Sequence, residues 1–115
     1  METSVEQRGN VSTVHISGRV DGLTADTLQQ VFSSEVAAGH RALVADFRQV
    51  DYTSSAGLRV LLGTVKETRS RGGDLRLAGP RPEVRNVLEL SGFTAILRVF
   101  ETVDDAVRSF GSGGA

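Results

Sequence analysis

Cysteine is absent from this 115-residue chain, and so is tryptophan. No disulfide can staple the fold and no thiolate can bind a metal, so stability has to come from an apolar core. Histidine is nearly absent too: His15 and His40 stand far apart in sequence. That gives little basis for a metal site or a histidine-based catalytic apparatus, and neither metal nor cofactor is expected. Neither sign of charge dominates. Thirteen basic and fourteen acidic residues leave a net charge of −1 with no basic run, so nucleic acid is not an expected partner. Long apolar runs are missing as well, including a signal-like segment at the N-terminus. A membrane is therefore not an expected partner, and a cytoplasmic domain is the default. This length predicts one domain over residues 1–110, with a flexible Gly/Ser tail over residues 111–115.

What the chain does have is periodicity. Residues 4–7 read as a short strand, followed by an Arg8-Gly9-Asn10 turn. Residues 11–17 alternate, with Val14 and Ile16 on one face and Thr13 and His15 on the other, so His15 reads as a half-exposed strand residue. Gly18-Arg19-Val20-Asp21-Gly22 reads as a loop by its glycines. Thr24 then caps a helix with Leu28, Val31, Phe32 and Val36 on one face, ended by Gly39. Residues 43–47 form a buried strand, and Gly72-Gly73 stops the helix that follows it. Residues 75–78 make another strand. Pro80 and Pro82 flank a third helix with Val84, Val87 and Leu88 inward and Gly92 at its end. Residues 96–100 make the last strand. Thr102 caps a fourth helix, with Asp105 three residues on and Val103, Ala106, Val107 and Phe110 on one face.

The order ββαβαβαβα predicts an α/β fold: a mixed, mostly parallel sheet with an antiparallel N-terminal hairpin and four helices. Ligand and partner sites of such sheets gather at the carboxyl ends of the strands. The Asp21 loop and the start of the central helix then share one edge. At that start, Thr53, Ser54 and Ser55 form the densest small-hydroxyl cluster in the chain, just before Leu58, Leu61, Leu62 and Val65 at i, i+3, i+4 and i+7. Ser54 is the predicted N-cap, its hydroxyl accepting from a free N–H of the first turn. A helix N-terminus also tolerates an anion such as a phosphoryl group. Spacing alone leaves both uses open, capping turn and modification site.

The segments Gly18-Arg19-Val20-Asp21 with Thr24-Ala25, Val44-Ala45-Asp46-Phe47, Ser54-Ser55-Ala56-Gly57-Leu58-Arg59-Val60-Leu61-Leu62, Gly72-Gly73 and Leu90-Ser91-Gly92-Phe93 together resemble the STAS domain. More narrowly, they are similar to the bacterial anti-sigma-factor antagonists. Nearly the whole chain is covered, from about Val5 to Phe110. The resemblance implies partner switching. An unmodified antagonist binds an anti-sigma factor that is itself a serine kinase and so frees the sigma factor. Phosphorylation abolishes the complex, and a serine phosphatase restores it. Aligned on Gly57-Leu58, the family's phosphorylated serine falls on Ser55, its preceding Asp on Ser54, and its second hydroxyl residue on Ala56. Arg19 stands where the family loop often has Glu.

The phosphorylation candidates are accordingly Ser55 and then Ser54. The expected partner surface comprises Arg19, Asp21, Thr24, Ser54, Ser55, Arg59, Gly63 and Lys66. The last three continue from Ser55 along one exposed helical stripe. Gly63 adds weight there, because an interior helical glycine costs about 1 kcal/mol against alanine and a closely approaching partner would justify it. The other use the resemblance implies is an accessory subunit of a transporter or of a stressosome-like assembly. An enzyme is not expected: no Gly-x-Ser-x-Gly elbow is present and neither histidine has an evident orienting role. Asp46 as a response-regulator phosphoacceptor lacks its acidic pair and its lysine, and reads as a turn or polar-edge residue.

Overall fold

The computed structural model describes residues 1–111; residues 112–115 of the expected tail lie outside the described residues. Five strands form one sheet in the order β1-β2-β3-β4-β5. They are β1 (Glu2–Arg8), β2 (Val11–Val20), β3 (Ala42–Thr53), β4 (Asp74–Ala78) and β5 (Val99–Phe100). Strand β1 runs antiparallel to β2, and every other neighbour pair is parallel. Between them come α1 (Ala25–Ala37), α2 (Ser55–Ser70), α3 (Pro82–Leu90) and α4 (Val103–Arg108). This is the mixed, mostly parallel architecture that the strand–helix alternation predicts.

The central strand shows why both faces need cover. Residues 42–47 are all buried, yet alternate members join different cores. Leu43, Ala45 and Phe47 pack with Leu28 and Phe32 of α1, Leu61 and Val65 of α2, and Val84 and Leu88 of α3. Ala42 and Val44 pack on the other face with Val11, Ala78 and the α4 residues Val103 and Ala106. A strand buried on both sides reads as a continuous apolar run, as residues 42–45 do. Helix α4 has only six residues, so it covers less of its face than the three helices cover of theirs. Its predicted cap is present: the Asp105 N–H donates to Thr102 Oγ1 at 3.0 Å.

Several expectations need correction. The glycine-marked loop at residues 18–20 is strand: β2 continues to Val20, and Gly18 sits at a register shift with φ 92°. A strand glycine here marks a bulge, where the left-handed backbone suits it. Strand β3 likewise runs on to Thr53, so Thr53 ends a strand and does not lie in a turn. Asp46 is no edge residue; it is 4% exposed in mid-strand. Val87, predicted inward, is 38% exposed, and Leu62 is only half-buried. Of helix α3 only Val84 and Leu88 are buried, and both join the core cluster that holds Leu43, Leu75 and Leu77. The last strand, expected over residues 96–100, is only Val99–Phe100: Gly92, with φ 75°, starts a 3-10 turn at Phe93–Ala95, and residues 96–98 after it are turn and irregular backbone.

Candidate functional site

The site is built by the parallel pairing of β2 and β3. Arg19 stands opposite Tyr52 and Val20 opposite Thr53. One residue on, the Ser54 N–H donates to the Val20 carbonyl at 2.9 Å. The chain leaving β2 therefore begins its loop at Asp21 beside the first residue of α2. A Cβ on Gly57 would meet Thr53 Oγ1 at 2.6 Å and Val20 Cγ1 at 2.7 Å, so only glycine lets α2 approach the strand ends this closely.

Asp21 organises the loop. Its carboxylate accepts from the Leu23 N–H at 3.0 Å and from the Thr24 hydroxyl at 3.3 Å, and its carbonyl accepts from the N–H groups of Thr24 and Ala25. The Leu23 N–H and then the Thr24 hydroxyl hold the Asp21 carboxyl below its ordinary pKa. Thr24 does not cap α1 through its side chain as expected. Its hydroxyl accepts from the Asp21 N–H at 2.9 Å and lies 3.0 Å from the Arg19 carbonyl, so it closes the loop instead. The Arg19 guanidinium lies 4.1 Å over the Tyr52 ring and 3.6 Å from Asp21.

At the start of α2, Ser54 is the N-cap residue by position, with extended backbone and its carbonyl accepting from the Leu58 N–H at 3.1 Å. The predicted side-chain cap is not made. Ser54 Oγ is buried with no partner, while Ser55, the first helical residue, is exposed. Arg59, Gly63 and Lys66 are exposed along the same helix. Gly63 borders a groove of about 380 Å³ between α1 and α2, shared with Phe32, Val36 and Glu67. The structure thus brings Arg19, Asp21, Thr24, Ser54 and Ser55 to one edge and extends Arg59, Gly63 and Lys66 away along α2.

Sequence reading missed two neighbours on that edge. Leu23, 93% exposed at the loop tip, and Tyr52, 41% exposed under Arg19, are the apolar members of the surface. The signal for Leu23 was there: a lone leucine between glycine and threonine, outside any periodic face. A larger hollow, about 690 Å³, lies away from this edge at the amino ends of β3 and β4, bordered by Gln7, His40, Arg41 and Arg76. Among the described residues no group of three His, Cys, Asp or Glu side chains could hold a metal ion, and no helix is long and apolar enough to cross a membrane.

Fold and site define a small mixed α/β domain that presents a helix-start hydroxyl beside an internally hydrogen-bonded loop at its sheet edge. The chain belongs to the STAS domain family, which matches residues 2–106. A Bordetella bronchiseptica relative, BtrV, provisionally named an anti-sigma factor antagonist, is 34% identical over 110 residues, or 96% of this chain and 95% of its own. A Mycobacterium tuberculosis relative, RsfB, named an anti-sigma-F factor antagonist, is 27% identical over 110 residues, covering 96% of this chain and 89% of its own. The crystal structure of an anti-sigma factor antagonist from Mycobacterium paratuberculosis superposes with a TM-score of 0.83 at 31% identity, covering 94% of this chain and 92% of that one.

Proposed function

We propose that this protein is an anti-sigma-factor antagonist: a non-catalytic domain that binds an anti-sigma factor with serine kinase activity and is switched off by phosphorylation of Ser55. The observation that carries this reading is the exposed Ser55 hydroxyl at the first position of α2, beside the Asp21 loop. The names of the curated relatives supply the partner class. Between the two candidate acceptors, exposure favours Ser55, since a kinase cannot reach the buried Ser54 oxygen without unwinding the cap.

The physical basis is asymmetric. A phosphoryl group on Ser55 adds roughly 1.5–2 negative charges, which the N–H groups of the first turn tolerate. The isolated fold survives. A partner packed on the same edge would have to desolvate that charge, and one mispaired interfacial charge typically costs about 2–5 kcal/mol, more than tenfold in affinity. Arg19, Asp21, Thr24, Arg59, Gly63 and Lys66 complete the proposed contact surface, and a serine phosphatase would reset the switch.

Incubation with the cognate anti-sigma kinase and Mg-ATP, followed by peptide mass spectrometry, is expected to place phosphate on Ser55. Ser55→Asp is expected to lower affinity for that kinase at least tenfold with an unchanged melting temperature. Wild-type affinity in both Ser55→Asp and the phosphorylated protein refutes the switch.

A further inference from the structure

On the sheet face only partly covered by α4, six side chains form a continuous run of charges that the proposed function does not use. Asp104 on α4 accepts from Arg8 at 2.7 Å, and Arg8 donates to Glu6 at 3.1 Å. Glu6 Oε1 lies 2.9 Å from His15 Nε2, and His15 Nδ1 lies 2.6 Å from Asp46 Oδ2. Arg48 closes the run with two bonds to the Asp46 carboxylate, at 2.9 and 2.8 Å. Four elements are joined: α4, β1, β2 and β3.

Asp46 also sits at a break in the sheet. His15 pairs with Asp46, but the next partners are Ser17 and Gln49, so β3 takes three steps where β2 takes two. The Arg48 N–H donates to Asp46 Oδ1 at 3.1 Å and closes that bulge. A bulge re-aims the strand beyond it, here the segment that leads into α2.

We propose that His15 is the proton-operated centre of a clasp, holding the edge strand β1 and helix α4 to the β3 bulge when doubly protonated and releasing Glu6 when neutral. The charges alternate along the run only while the imidazole is cationic. A neutral ring has a single N–H and two carboxylates to serve. Asp46 is buried and cannot turn to water, so it keeps the N–H; Glu6, half-exposed, then faces a lone pair and swings out. The groups facing His15 are Glu6 from β1, with Glu2 bordering the same shallow hollow, and Asp46 and Arg48 from β3. Arg8 and Asp104 act on it through Glu6. The Asp46 carboxylate raises the His15 pKa, burial opposes it, and Glu6 adds to the rise. The clasp is therefore closed below about pH 6.5 and opens as the pH climbs through the raised folded value.

The test is an NMR titration of the full chain from pH 5.5 to 8.5, following the His15 ring protons and amide protection factors corrected for intrinsic exchange. In wild type, β1 amides are expected to lose protection several-fold in step with His15 deprotonation, while α2 amides hold theirs. His15→Gln is expected to show weak β1 protection at every pH, and His40→Gln to behave as wild type. Should His15→Gln not fold, Glu6→Gln reads the same idea: the His15 titration moves to lower pH and the β1 transition disappears. A His15→Gln protein that retains the wild-type pH transition, or a His15 titration that leaves β1 protection unchanged, overturns the clasp.

Discussion

Two glycines on α2 face opposite constraints, and substituting each by alanine separates them. At Gly57 a methyl group meets atoms of the buried Thr53 and Val20 side chains at under 3 Å, so something there must shift. Overpacking of this kind costs about 1–3 kcal/mol, against at most about 1 kcal/mol returned by helix propensity. At Gly63 nothing lies within 4 Å, so only the propensity gain of up to about 1 kcal/mol operates. Urea unfolding is expected to show Gly57→Ala less stable than wild type and Gly63→Ala more stable. A stabilised Gly57→Ala contradicts the close approach that seats Ser54 on Val20. Both glycines were visible in the sequence, but their roles were not. Gly63 stood out as a costly helix-interior glycine that a closely approaching partner would justify, whereas the need for Gly57 depends on β2, more than thirty residues away in the chain.

At the scale of elements, local signals read well and long-range ones did not. The Thr102 cap of α4 was legible because donor and acceptor lie three residues apart. Helix faces were legible at their centres, as with Leu28, Phe32, Leu61 and Val65, and failed at their margins, at Leu62 on α2 and Val87 on α3. The length of β3 was underestimated because Arg48, Gln49, Asp51 and Tyr52 carry no apolar pattern; parallel pairing of Gln49, Val50, Tyr52 and Thr53 with β2 holds the segment extended. The juxtaposition of Asp21 with Ser54 and Ser55 followed from topology alone. The internal wiring of the loop did not, since Thr24 could bond either to helix N–H groups or backward to Asp21 and Arg19. That wiring yields a prediction. Asp21→Asn keeps an oxygen for the Leu23 N–H and is expected to retain most of the affinity for the anti-sigma factor, whereas Asp21→Ala frees the loop and weakens binding. Both should melt close to wild type, because the carboxylate supports an exposed loop and no core contact. Equal loss in the two variants, measured by calorimetric titration, would mean that the charge and not the loop shape is recognised.

For the whole molecule, the charge run sets how stability depends on pH, and the sign follows group by group. Burial alone would raise the Asp46 carboxyl, but the Arg48 guanidinium and the His15 ring overcome it and hold the group below its ordinary value. His15 and then Arg8 lower Glu6 in the same direction. Their contributions are present above about pH 4, the usual carboxylate range, and are lost as the pH falls through the lowered folded values. The His15 contribution behaves oppositely, present below about pH 6.5 and lost on the alkaline side. Melting temperature is therefore expected to peak in the mildly acidic window between the two limbs. Asp46 takes part in both limbs, because it accepts from Arg48 on one side and from His15 on the other. Asp46→Asn is expected to cost about 1–3 kcal/mol at the peak, the range for losing hydrogen bonds to a charged group when the stranded Arg48 can still reach water. It should also flatten both limbs together. Combining it with His15→Gln should then cost less than the sum of the two, since the second substitution removes a bond already broken. Additive losses in thermal melts at the peak pH would show that Asp46 and His15 stabilise the fold independently, and that their 2.6 Å contact couples nothing.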